Sequence, residues 1–221
     1  HDKGDRMPDL RIEMDQTTFT VLPLFVLIFV VLLIILWWCK HSFSYLLCFT
    51  VFSIYLAFAI DKTFFPIRLS EYYAETFRQV QFTYFINLIP FYFGTYGTLE
   101  SSLTTLLLNV LLTIPFGFGI SFLTHIRARN FLWLALALGF GIEATQFLIG
   151  ILLGYLDRYV DINDVLMNAL GVLVGYGLFR VFAWLYVWVT RRTGIKLWGL
   201  AAYIYAVASR ARHNGIQPIT G

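Results

Sequence analysis

Apolar residues fall in five long runs separated by short polar breaks, at 20–38, 43–60, 103–124, 131–154 and 164–189. Each is close to or above the roughly 20 residues a helix needs to cross ~30 Å of hydrocarbon. With no water to satisfy backbone groups at that depth, the pattern predicts an all-α polytopic membrane bundle of about five spanning helices. The first run, Val21–Trp38, is not read as a signal peptide, because an acidic segment precedes it, no small-residue cleavage site follows and more spans come after.

Between the second and third runs lies DKTFFPIRLSEYYAETFRQVQFTYFINLIPFYFG, neither a span nor a simple loop. Ser70 followed by Glu71 and Glu75 reads as a helix start, with acids where the dipole favours them. Tyr73, Phe77, Val80 and Tyr84 then recur at helical spacing, which predicts an aromatic amphipathic helix in the headgroup region. After Arg192, GIKLWGLAAYIYAVASRAR is too short and too flanked by cations for a sixth span and reads as an interfacial tail helix. The chain thus divides into an N-terminal tail (1–19), two N-terminal spans (20–60), a membrane domain (61–190) and a cationic amphipathic tail (191–221). Residues 1–13 (HDKGDRMPDLRIE) read in part as a non-native leader, with Met7 or Met14 as the native start.

Composition agrees: 59% of residues are hydrophobic and 13% charged, against ~45–50% and ~25% in an average soluble domain. A net charge of +3 gives no reason to expect nucleic acid. Cys39 and Cys48 flank one short turn without metal-ligand spacing; they read as inert thiols, with a disulfide or lipid attachment as alternatives. Lys40, Arg127, Arg129, Arg191, Arg192 and Lys196 collect on one side of the bundle, which the positive-inside rule makes cytoplasmic, with the amino terminus external. The other side mixes Lys62, Arg68, Arg78 and Arg158 with acids. Arg180 is expected to snorkel to the inner face beside Trp184, and Pro115 to kink the third span toward the bundle interior.

The candidate chemistry lies in the spans. In GFGIEATQFLIG (139–150) a carboxylate sits well inside an apolar run, at a cost of at least ~2.5–3.5 kcal/mol if it faced lipid. Gly139, Glu143, Gln146 and Gly150 share one helix face; Asp161, Asp164, Asn168, Gly171 and Gly175 make a second; Thr105, Asn109, Thr113 and Gly117 make a third. These small and polar faces should point at one another. From a rise of 1.5 Å per residue, Asn109, Gln146 and Asn168 fall about 7–12 Å below the external surface, with Glu143 somewhat deeper. The pattern therefore predicts an outward polar pocket with Asp161 and Asp164 at its mouth. Structural alternatives stand beside this. Glu143 could be interhelical glue, Asn168 likewise, and Asp161 with Asp164 could form a capping box. The four histidines form no HExxH pattern and no pair, GFGIEA lacks the strand a dinucleotide fingerprint needs, and Ser101, Ser102 and Ser121 lack a nearby base. No metal or other cofactor is expected.

FINLIPF (85–91), NVLLTIPFGFG (109–119), IEATQ (142–146) and the spacing R-x-x-D-x-x-D-x-x-x-N-x-x-G from Arg158 to Gly171 occur in order, and in this the chain resembles the VanZ-like family over about residues 60–190. The resemblance implies a small polytopic protein of the bacterial cytoplasmic membrane, of a family linked to teicoplanin resistance in Gram-positive bacteria. The family's motif residues carry over as Asn87, Pro90, Phe91, Asn109, Pro115, Phe116, Gly117, Glu143, Gln146, Arg158, Asp161, Asp164, Asn168 and Gly171, with no catalytic role attached. The preferred reading is a protein that binds or handles a membrane lipid, an undecaprenyl-linked cell-wall precursor or a lipoglycopeptide. Asn87, Asn109, Glu143, Gln146, Arg158, Asp161, Asp164 and Asn168 would be the binding residues. An intramembrane enzyme using the three carboxyls and a passive envelope scaffold are the rivals. The oligomeric state stays open.

Overall fold

Helix ends fall where side chains or glycines can satisfy free backbone groups, and these ends set the architecture. In a computed structural model that describes residues 10–67, 71–92, 98–156 and 158–213, the chain is almost entirely helical. The elements are α1 (Leu10–Trp38), α2 (Phe43–Phe64), α3 (Glu71–Arg78), a 3-10 turn (Phe82–Phe85), β1 (Ile86–Asn87), α4 (Leu99–Leu123), α5 (Ala128–Leu153), β2 (Val160–Asp161), α6 (Ile162–Thr193) and α7 (Gly199–His213). The side chains of Ser42, Thr98 and Asp161 cap α2, α4 and α6. Gly154 and Gly194, with φ of 77° and 63°, close α5 and α6 in the left-handed region.

Among the described residues, α2, α4, α5 and α6 are long and apolar enough to cross a membrane; the apolar stretch Pro23–Trp38 of α1 is shorter. The chain is a multi-pass membrane protein. Exposed Leu, Ile, Val, Phe and Trp side chains cover the outer faces of the helices, as a lipid-facing surface requires.

The central helix is α6, which packs against α4, α5 and α7. Its contact with α4 is close because glycines line it. A Cβ on Gly117 would lie 2.0 Å from the Val172 carbonyl oxygen, and one on Gly175 would lie 2.0 Å from that of Ile114. Gly139 does the same for α5, where a Cβ would meet the Val165 carbonyl at 2.4 Å. The three small faces do therefore converge. Phe131, Ala135, Ala169 and Val172 form the core beneath them, with the Phe131 and Tyr176 rings stacked at 3.7 Å.

Four expectations can be set beside the local structure. The aromatic segment is helical only over α3 and then tightens into the 3-10 turn, because Phe85 is buried against Phe77 and Tyr159 rather than continuing along one helix face. Ser70, its expected cap, lies outside the described residues. The segment ends in a short parallel bridge pairing Ile86 with Val160 and Asn87 with Asp161. The tail helix, α7, folds back on α6, burying Ala208 against Phe179, Ala183 and Val187. Arg180 turns toward Tyr176, whose hydroxyl lies 3.4 Å from Nη1, while Trp184 stacks on Trp188. At Pro115, α4 runs on without interruption, and the Tyr55 hydroxyl of α2 donates to the Leu112 carbonyl at 2.8 Å in the turn that proline loosens.

Candidate functional site

The site forms where α5 meets the start of α6. Asp161 caps α6 by accepting from the Asn163 backbone N–H at 2.8 Å. A capping box would have the acid at the third helical position, Asp164, return to the Asp161 N–H. Here Glu143 takes that place from the neighbouring helix, its Oε2 accepting from the Asp161 N–H at 3.1 Å. Glu143 is 4% exposed, so its carboxyl faces protein rather than lipid. Asp164 hydrogen-bonds the Asn109 side chain of α4 instead, within electrostatic reach of Glu143 and Asp161.

A cavity of about 730 Å³ opens beside this cluster, and Asn109, Glu143, Gln146, Arg158, Asp164 and Asn168 all line it. Its remaining wall includes Phe58, Lys62, Thr63, Leu108 and Leu111 from α2 and α4. Phe58, Leu108 and Leu111 are themselves exposed on the lipid-facing surface, so the cavity opens sideways between α2 and α4. A smaller cavity of about 210 Å³ adjoins it, sharing Thr105, Tyr159 and Asp164 and adding Asp161, Ser101 and Ser102. Six of the eight expected site residues thus face one space, and Asp161 faces the next.

Asn87 lines neither cavity. Its Nδ2 donates to Asp161 Oδ1 at 3.0 Å and to the Tyr92 carbonyl at 3.2 Å, and its Oδ1 accepts from the Ile89 N–H at 3.0 Å. It ties the 87–92 loop to the α6 cap. Arg158 and Gln146 both donate to the Thr63 carbonyl, at 2.5 and 3.0 Å, and Arg158 reaches the Phe65 carbonyl at 3.3 Å. They satisfy carbonyls left over at the C-terminal end of α2.

Asn168 is 2% exposed, and its Oδ1 has no hydrogen-bond partner. Thr113 secures the backbone there, its hydroxyl donating to the Asn168 carbonyl at 2.9 Å. A buried carboxamide oxygen left unpaired is costly, by about 1–3 kcal/mol. Sequence reasoning missed Asn163, which is 1% exposed and holds the same loop: its Oδ1 accepts from the Phe91 N–H at 2.6 Å and its Nδ2 donates to the Tyr92 carbonyl at 3.2 Å. Among the described residues, no group of three or more His, Cys, Asp and Glu side chains is placed to hold a metal ion.

A bundle of membrane-crossing helices with a laterally open cavity, lined in part by polar side chains, defines the class: a multi-pass helical membrane protein whose buried polar groups are held between helices. The profile of the VanZ/LLP1 family matches residues 24–183, and the chain belongs to that family. The match takes in α2 and the apolar part of α1, beyond the 60–190 region that carried the sequence motifs. No curated protein and no solved structure matches the chain.

Proposed function

We propose that the cavity between α2, α4, α5 and α6 binds the headgroup of a lipid or other membrane-anchored amphiphile on the outer side of the bacterial cytoplasmic membrane. Through this binding the protein contributes to resistance against teicoplanin-type lipoglycopeptides. The observation that supports the reading is a cavity that opens toward lipid and is lined by Asn168, whose buried Oδ1 has no hydrogen-bond partner. Such an atom calls for a donor from a ligand or water. The surrounding carboxyls of Glu143 and Asp164 are acceptors too when ionised. The chamber therefore suits amines and hydroxyls, such as an ethanolamine or a sugar, better than a bare phosphate. Arg158, at the rim, already engages two carbonyls of the 63–65 turn.

The test is binding of fluorescent phosphatidylethanolamine and of a polyprenyl-linked sugar to the purified protein, comparing wild type with Asn168→Leu and Asp164→Asn. Each variant is expected to weaken binding of one or both probes about tenfold, the scale of one buried hydrogen bond to a charged or unpaired group. Teicoplanin susceptibility of an expressing Gram-positive host should rise in parallel, with vancomycin as comparison. Unchanged binding in both variants, at matched levels of folded protein, would refute the reading.

A further inference from the structure

The opposite end of the bundle carries a second cavity with the reverse electrostatic character. It has a volume of about 330 Å³ and lies among the α1–α2 turn, the α4–α5 connection, α6 and α7. His41, Ser121, Arg180, Tyr203 and Arg210 line it, and among the described residues no carboxylate does. Among the described residues the ion pair is Lys62 with Asp61, far along α2 from this end, and neither arginine pairs with a carboxylate. Two arginines lining one space offer an anion two guanidinium groups to donate to. Ser121 Oγ is buried here without a hydrogen-bond partner.

Directly beside this cavity runs an apolar groove of about 400 Å³ between α2, α4 and α7, lined by Val51, Phe52, Tyr55, Pro115 and Ile204 among others. The two spaces share Phe122, and Tyr203 stands at the seam. The Tyr203 hydroxyl donates to the Phe122 carbonyl, with Arg210 on its polar side and Cys48 of the groove close by. A cationic chamber joined to an acyl-sized apolar groove has the form of one kind of ligand.

We propose that this end of the bundle is a binding site for an anionic phospholipid, its phosphate held by Arg180 and Arg210 and one acyl chain lying in the groove between α2, α4 and α7. The site lies at the end that collects Lys40, Arg127 and Arg129. Basic pockets between helices on such a face recognise acidic headgroups. The docked α7 supplies Tyr203, Ile204 and Arg210, so the site exists only when that helix is folded onto α6.

The experiment is native mass spectrometry and lipid-dependent thermal stability of the full chain with phosphatidylglycerol, phosphatidylcholine and inorganic phosphate as separate probes. Phosphatidylglycerol should be retained and stabilising. Arg180→Gln and Arg210→Gln should each weaken it about fivefold, and the pair about 25-fold. Val51→Trp, at an exposed position on the groove, should weaken it with both arginines intact. Equal retention of phosphatidylcholine would overturn the proposal, as would competition by inorganic phosphate alone with no effect of Val51→Trp. Asn168→Leu serves as the control at the other cavity. If it removes phosphatidylglycerol while the arginine variants keep it, the lipid belongs to that cavity and this site fails; the converse leaves this site standing whatever becomes of the first.

Discussion

Gly175→Ala tests the central claim that α4 and α6 meet backbone to backbone. The added Cβ would sit 2.0 Å from the Ile114 carbonyl oxygen and 2.9 Å from the Phe118 nitrogen. Contacts below 3.0 Å are essentially never seen for real Cβ atoms, so the helices must separate locally by at least 1.0 Å, the difference between 3.0 and 2.0 Å. Both obstructing atoms are backbone, and no side chain can swing away. Overpacking of this kind costs ~1–3 kcal/mol, and the displaced Thr113–Asn168 bond between the helices adds ~0.6–1.7 kcal/mol. Together the loss is about 1.6–4.7 kcal/mol. In a thermal unfolding assay in detergent that corresponds to a midpoint lowered by roughly 3–19 °C for a chain of this size. Gly177→Ala is the internal control, two residues along the same helix with nothing within 4 Å of its Cβ. The reasoning fails if Gly175→Ala unfolds with the wild type, or if Gly177→Ala falls as far.

Arg158→Gln should destabilise by about 1–2 kcal/mol, because the partly buried Phe65 carbonyl contact loses its donor while Gln146 still holds Thr63; the same unfolding assay reads it. Asn163→Ala leaves the Phe91 N–H without its acceptor, so the 88–92 segment should become sensitive to chymotrypsin at Phe91 and Tyr92 under conditions that spare the wild type. Tyr203 is held neutral chiefly by burial, its pKa raised from 10.0 to about 12. Because the folded state keeps a proton the unfolded state loses, stability from this group is intact below pH 10 and declines between pH 10 and 12. The Tyr203→Phe protein should lack that part of the decline and one late-titrating phenol in the ultraviolet.

The long apolar helices α2, α4, α5 and α6 and the inward stripe were readable from sequence because both rest on helical periodicity. Gly139, Gly171 and Gly175 recur on the faces that carry Glu143 and Asn168, and the structure brings those faces together. What periodicity cannot show is the use of backbone atoms. The Thr63 carbonyl collects Gln146 and Arg158, yet nothing about a threonine at the end of an apolar run marks its oxygen as a partner. Asn163 escaped for a related reason: it lies one residue off the Asp161–Asp164–Asn168 stripe and serves a loop 71–72 residues earlier in the chain. The docking of α7 was illegible because its short length and flanking cations fit an interfacial helix equally well; only the matching surface of Phe179, Ala183 and Val187 decides it.

Glu143 joins the structural and the chemical readings of the site instead of dividing them. A helix start needs an acceptor for its N-cap N–H, and in a capping box Asp164 would be spent on that bond. Glu143, reaching across from α5, accepts from the Asp161 N–H and frees Asp164 to turn toward Asn109 and the two cavities. The carboxyl buried in an apolar helix thus makes the interhelical bond that the structural alternative foresaw. By being so it leaves a second carboxyl lining the chamber beside the unpaired Asn168 oxygen. It follows that Glu143→Gln, whose amide oxygen can still accept from Asp161, should preserve the fold and the orientation of Asp164, whereas Glu143→Leu should pull Asp164 back onto the cap and close the chamber to ligands. Equal probe binding by the Gln and Leu variants would show that the two carboxyls are not coupled in this way.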